Sequence, residues 1–151
     1  MRRAVAVLLI IAVGLAVGGT YFVTPRPASD VTATSCPDDD LRQAQSVIVD
    51  QTRAMSAQDF ATARSYASQA FQNAVSVAQF ADIISNDYAY LLQNPQITFD
   101  DCSVIDAQGL LISTTFIVDG TTHNVDYALV AEQGGWYINV AASQESRTLA
   151  V

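Results

Sequence analysis

The chain has 151 residues, seven bases against 15 acids, and a formal net charge of −8; every base is Arg. Half the residues are hydrophobic, enough for the core of one domain and too many for a wholly disordered chain. A pI near 4.2 excludes a nucleic-acid binder, which needs a basic surface, and two Cys are too few for a disulfide scaffold or a four-ligand zinc site.

Arg2 and Arg3 precede an apolar run from Ala4 to Val23, the pattern of an export signal. At about 1.5 Å per residue such a run covers a bilayer core of roughly 30 Å. The run continues through Tyr21-Phe22-Val23, which favours an uncleaved anchor over residues 1–24; Ala16-Val17-Gly18 offers a cleavage site as the alternative. In both cases Arg2 and Arg3 stay inside and the remainder is exported. The expected location is the cell membrane, single-pass with an extracytoplasmic domain, or the exterior if the signal is cut. Gly14 and Gly18 form one G-x-x-x-G pair, a spacing that lets two membrane helices approach closely. Beyond residue 24 the chain keeps five Arg against its 15 acids, a net −10.

Residues 25–37 read as a flexible linker, with Pro25, Pro27 and Pro37 and no periodicity. The domain is expected over 38–145, with a tail at 146–151. Asp38-Asp39-Asp40 are placed to cap a first helix and complement its dipole, a role preferred here over cation binding. Leu41, Ala44, Ile48, Thr52 and Met55 then keep a 3.6-residue period over about 39–55. Ser56-Ala57-Gln58-Asp59 resembles a capping box opening a second helix over about 57–67, which buries Phe60, Ala63 and Ala67. Ser76-Val77-Ala78-Gln79 is a full capping box; Val77, Phe80, Ile84, Tyr88 and Leu91 mark a third helix, ended by Asn94-Pro95.

After Pro95 the period changes to two, and strands are expected over about 96–105, 110–118, 121–131 and 136–142. Asp119-Gly120 is a type I′ hairpin signal pairing Val118 with Thr121, hence Phe116 with His123, Thr114 with Val125, Ile112 with Tyr127 and Leu110 with Leu129. Gln133-Gly134 pairs Ala131 with Trp136, so that Trp136 anchors the last hairpin on the core side. A turn near Ala107-Gln108 pairs Phe99 with Phe116 and Asp101 with Thr114. One face then collects Ile97, Phe99, Leu110, Ile112, Phe116, Val125, Tyr127, Leu129 and Ile138, and the helices should cover it. The fold class is α+β: an N-terminal membrane helix, then three helices packed on a curved four-stranded antiparallel sheet.

Cys36 and Cys102 both lie beyond the export segment, where oxidation is permitted, and no third Cys competes. A disulfide between them is expected, with Cys102 facing away from the apolar sheet face. Two free thiols, or lipid attachment at Cys36 after Ala33-Thr34-Ser35, are the alternatives.

Two stretches carry a family resemblance. Met55-Ser56-Ala57-Gln58-Asp59-Phe60-Ala61-Thr62-Ala63 resembles the helix–turn–helix entry of the nuclear-transport-factor-2-like (SnoaL-like, cystatin-like) superfamily. Glu132-Gln133-Gly134-Gly135-Trp136-Tyr137-Ile138 is similar to its recurrent last hairpin. The resemblance covers about 39–142 and extends to bacterial exported domains of unknown function. It implies a cone-shaped domain, and in the family's enzymes an Asp base or Asp–His pair with Tyr donors inside the cone. No enzyme motif maps residue by residue.

The candidates for such chemistry are Asp101 and His123, with Tyr88, Asp101, Thr114, Phe116 and Tyr127 as a ligand pocket. The bland readings stand beside them: His123 at a wet sheet end, Asp101 turned outward by a bulge in the first strand, and Tyr66, Tyr88, Tyr90, Tyr127 and Tyr137 as packing residues with wet hydroxyls. No cofactor or metal motif occurs. Three functions fit: a non-enzymatic extracytoplasmic module binding a protein partner or small apolar ligand, an isomerase-like or hydrolase-like enzyme, or a structural domain that dimerises through its sheet. The partners to expect are the membrane, through the N-terminal helix, and a second copy or an envelope protein.

Overall fold

The computed structural model describes residues 35–144. The apolar run 4–23 with its Gly14/Gly18 pair, the linker up to residue 34 and the tail at 146–151 lie outside the described residues. Among the described residues no helix is long and apolar enough to cross a membrane.

The domain is α+β. Helices α1 (Asp38–Ser56), α2 (Phe60–Ser65), α3 (Gln69–Ala74) and α4 (Val77–Asp87) and a 3-10 turn (Ala89–Gln93) precede strands β1 (Gln96–Asp106), β2 (Gly109–Val118), β3 (Thr121–Glu132) and β4 (Gly135–Ser143). The strands form one antiparallel sheet in sequence order.

The expected apolar stripe of α1 is buried at Ala44, Ile48, Thr52 and Met55, with Gln51 beside it. Gln51 is admitted because its amide donates to the Ala63 carbonyl at 3.2 Å, and the Thr52 hydroxyl donates to the Ile48 carbonyl at 2.8 Å. The three acids sit in the first turn of α1, but none caps it; the N-cap is Pro37, and their contribution is to the dipole. The cap expected at Ser56 belongs to Asp59, whose carboxylate accepts from the Thr62 amide at 3.1 Å. Ser56 instead ends α1 and donates to the Leu91 carbonyl at 2.8 Å.

The helical half holds one element more than the sequence pattern suggests. α3 buries no residue, so no apolar stripe announces it; it is fixed by Ser68, which caps it at the Phe71 amide. The capping box at Ser76 and Gln79 is present, but the third expected helix breaks at Tyr88 (φ −132°, ψ 34°) and continues as the 3-10 turn. Asn94, at φ 52°, then redirects the chain into Pro95 and β1.

The β2–β3 pairings follow the alternating pattern, including Phe116 with His123 and Ile112 with Tyr127, and β3–β4 pairs Ala131 with Trp136 and Leu129 with Ile138. Both tight turns use left-handed backbone, at Asp119 (φ 49°) and Gly120 (φ 77°) and at Gln133 (φ 50°) and Gly134 (φ 81°).

The first hairpin differs. Asp101 pairs with Ser113 rather than Thr114 because the register shifts between Val104 and Asp106, and Phe99 pairs with Thr114 rather than Phe116 because it shifts again between Phe99 and Asp101. At each shift one extra residue on β1 reverses the alternation beyond it. Ile97 and Phe99 face the core, Asp100 and Asp101 are exposed, and Cys102, opposite Ile112, turns inward against the core instead of outward. The shift between Val104 and Asp106 leads into the turn.

The helices cover the apolar face, where Ala44, Ile48, Met55, Ala63, Phe80, Ile84 and Leu91 meet Leu110, Ile112, Phe116, Val125, Tyr127, Leu129 and Ile138. Cys36 and Cys102 are bonded, with Cα atoms 5.7 Å apart, and Ser35 bridges to Ser103 beside them. On the opposite edge, β4 is covered by the α2–α3 connection: the Ile138 amide donates to the Tyr66 carbonyl at 2.9 Å and the Ser68 amide to the Ile138 carbonyl at 2.8 Å.

The disulfide closes a sequence separation of 66 residues. Replacing both cysteines by Ala is expected to cost about 4 kcal/mol in the chain-entropy account, read from urea denaturation. A loss below about 1 kcal/mol would show that the tie adds no constraint beyond packing.

Candidate functional site

Of the residues singled out for an interior pocket, Tyr88, Thr114, Phe116, His123 and Tyr127 come together with Tyr90, and Asp101 does not. The Tyr90 ring stacks on the His123 imidazole at 3.9 Å with parallel planes, and lies 6.0 Å from Phe116 and 6.2 Å from Tyr88. Phe116 in turn meets Tyr127 edge-on at 6.3 Å. His123 reaches this cluster because the β2–β3 register puts it on the core side, opposite Phe116. The 3-10 turn brings Tyr90 over it.

Asp101 faces solvent rather than the core side expected of it. It is exposed beside Ser113, and its carboxylate accepts from the Cys102 amide at 2.8 Å. Its neighbour Asp100 accepts from the Thr115 hydroxyl at 2.6 Å on the outer side of the sheet. The β1 bulge therefore separates the carboxylate from the imidazole and phenols with which an acid–base relay would need it in line.

The interior side chains are closed to solvent. Phe116 has no exposed surface, and Thr114 and Tyr127 are 1% exposed. Burial is the first cause that raises the Tyr127 phenol above its ordinary pKa of 10.0, with the nearby Tyr90 and Tyr88 adding to it. Tyr88 is raised too, by burial and then by Asp87, against a backbone hydrogen bond with Ser143. The Thr114 hydroxyl is buried with no hydrogen-bond partner among the described residues. Among the described residues no three His, Cys, Asp or Glu side chains converge on a metal site.

A second arrangement lies on the surface. A groove of about 440 Å³ runs between Gln43, Ser46 and Val47 of α1, Ser65 and Tyr66 after α2, and Gly135, Trp136 and Tyr137 at the start of β4. Trp136 is half-buried rather than fully buried, packed against the core on one side, and its indole N–H donates to the Asp40 carboxylate at 3.3 Å. Tyr66 and Tyr137 appear in the sequence only as scattered tyrosines. The signal that joins them is the parallel bridge from Ala67 to Ile138, which no local pattern encodes. A smaller cleft of about 230 Å³ opens among Ile105, Asp106, Gln108, Gly109, Ala128, Leu129, Val130 and Asn139.

Two outcomes test the interior. Thr114→Val replaces an unpartnered buried hydroxyl with an apolar group of similar shape and should stabilise the fold by about 1 kcal/mol in urea titrations. Destabilisation would mean that a bound molecule satisfies the hydroxyl. For Tyr127, the raised folded pKa means that the unfolded chain ionises above about pH 10 while the folded chain stays protonated, so stability falls as pH rises past that point and is unaffected below it. Tyr127→Phe should remove up to about 1.4 kcal/mol per pH unit of that alkaline slope. An unchanged slope would place the phenol in water.

No curated protein matches this chain. The family model described as "Domain of unknown function (DUF4864)" matches residues 37–150, which span every helix and strand described above. The chain belongs to the DUF4864 family.

Proposed function

We propose that the protein is a membrane-tethered, extracytoplasmic module of the nuclear-transport-factor-2-like type that binds a protein partner through the open face of its sheet and is not an enzyme. The observation that carries this reading is the outer face itself. Leu111, Ala128 and Val140 form one cross-strand row, and Val130 lies beside it. Ile105, Leu111 and Val140 are 57%, 37% and 46% exposed. Beside them the 230 Å³ cleft gives the patch a recess for an inserted side chain.

The other half of this face is polar. The Ser113 hydroxyl donates to Asp126 at 2.8 Å, the Gln144 amide donates to the same carboxylate, and the Thr115 hydroxyl donates to Asp100. Residues 96–143 contain Asp100, Asp101, Asp106, Asp119, Asp126 and Glu132 and no Arg or Lys. A second copy would set these acids against one another; a protein with an apolar centre and a basic rim complements them.

The apolar run behind Arg2 and Arg3 supports the tether and the exported orientation. Helices packed on one face of a four-stranded antiparallel sheet support the cone-shaped family type. The outward Asp101 leaves the interior aromatic cluster without a carboxylate, which speaks for binding over catalysis.

The test places a photo-crosslinking amino acid at position 111 of the full chain in its native envelope. The expected result is an adduct with a different protein that weakens with added salt, disappears with Val140→Asp and is absent from the same probe at Gln43. Adducts at twice the chain's own mass, or none, would overturn the reading.

A further inference from the structure

We propose that the groove between α1, α2 and the start of β4 is a binding site for a neutral oligosaccharide, a role separate from protein docking on the sheet. Every lining residue is uncharged, in a chain of net −8. An anionic ligand would find no cation there and would meet the acidic field of the whole domain. A cationic ligand would find no carboxylate in the lining. What the groove offers is three aromatic rings, Tyr66, Trp136 and Tyr137, with the Gln43 amide and the Ser46 hydroxyl on the facing helix.

That combination suits a pyranose. Its axial C–H faces carry partial positive charge and pack against the negative face of an aromatic ring, while its hydroxyls need groups that both donate and accept, as amides and hydroxyls do. A volume of about 440 Å³ takes two or three sugar units, and the open form lets a chain run through.

The state of Trp136 fixes how the platform is presented. The indole N–H is already committed to Asp40 at 3.3 Å. This bond leaves the ring face as what the indole offers, and it fixes that face before any ligand arrives. Asp40 is thus a positioning residue for the platform.

Gly135 keeps the groove open. A Cβ at this position would meet only the Tyr137 ring, at 3.7 Å, an ordinary contact, and no left-handed backbone requires glycine there. A β-branched residue is therefore accommodated by the strand and projects toward the ring edge.

Trp136 is the chain's only tryptophan, so intrinsic fluorescence reports on this groove alone. The experiment titrates the full chain in detergent with triacetylchitotriose and cellotriose, uncharged chains with and without acetamido groups. The expected result is a saturating change in emission with at least one of them, in the millimolar range typical of an open groove. Gly135→Val should weaken it by about tenfold or more, with the thermal unfolding midpoint unchanged. Gln43→Glu, on an exposed helix position, should weaken it likewise and covers the case in which the glycine variant fails to fold. No change with either sugar, a change that survives both variants, or a response to choline instead of the sugars would each overturn the proposal.

Discussion

Two register shifts on the first strand set the character of this domain. Without the shifts on either side of Asp101–Val104, strict alternation would carry Asp101 to the core side and Cys102 to the solvent side. With them, two consecutive acids stay in water, and the inward position passes to Cys102, where Cys36 can reach it. The same two shifts thus supply the covalent tie and remove the carboxylate that an interior acid–base site would need. A buried, unpaired carboxylate would cost several kcal/mol, on the order of the whole stability of a small domain, so the shifts also spare the fold that burden.

The chain at the start of α1 is consequently fastened to both edge strands. On one side the disulfide joins Cys36 to β1; on the other, Asp40 accepts the indole N–H of Trp136 from β4. Between these fasteners the stripe from Ala44 to Met55 lies on the apolar sheet face and closes the core. A helix held in this way leaves little freedom at the edges of its own footprint. The groove beside Trp136 is therefore a fixed concavity, whereas the outer face of the sheet is an open surface with nothing from the described chain over it.

The sequence carries the strands and most of their register because alternation and left-handed turn residues are local signals. Asp119-Gly120 and Gln133-Gly134 each fix a pairing that the apolar alternation of their flanking strands then repeats. The first hairpin is less legible: its bulge leaves no mark in composition, since Asp100 and Asp101 are alike as residues and only pairing distinguishes them. In the helical half, α3 buries nothing and so has no period, and the expected third helix breaks at Tyr88 without a Gly or Pro to announce it. The interior aromatic cluster is partly readable, since His123, Phe116 and Tyr127 share a face by strand register. Tyr90 joins them through the 3-10 turn, and the groove depends on a parallel bridge between distant segments, which no short pattern encodes. Membership of the DUF4864 family gives the domain its relatives and leaves the assignment of its surfaces to physical argument.

The register of β1 against β2 is accordingly the quantity on which the account turns. Cross-strand nuclear Overhauser contacts in the oxidised domain measure it directly. The shifted register gives contacts linking Phe99 with Thr114, Asp101 with Ser113 and Cys102 with Ile112. Contacts linking Phe99 with Phe116 and Asp101 with Thr114 would mean an unbulged strand with a carboxylate inside, and would contradict it.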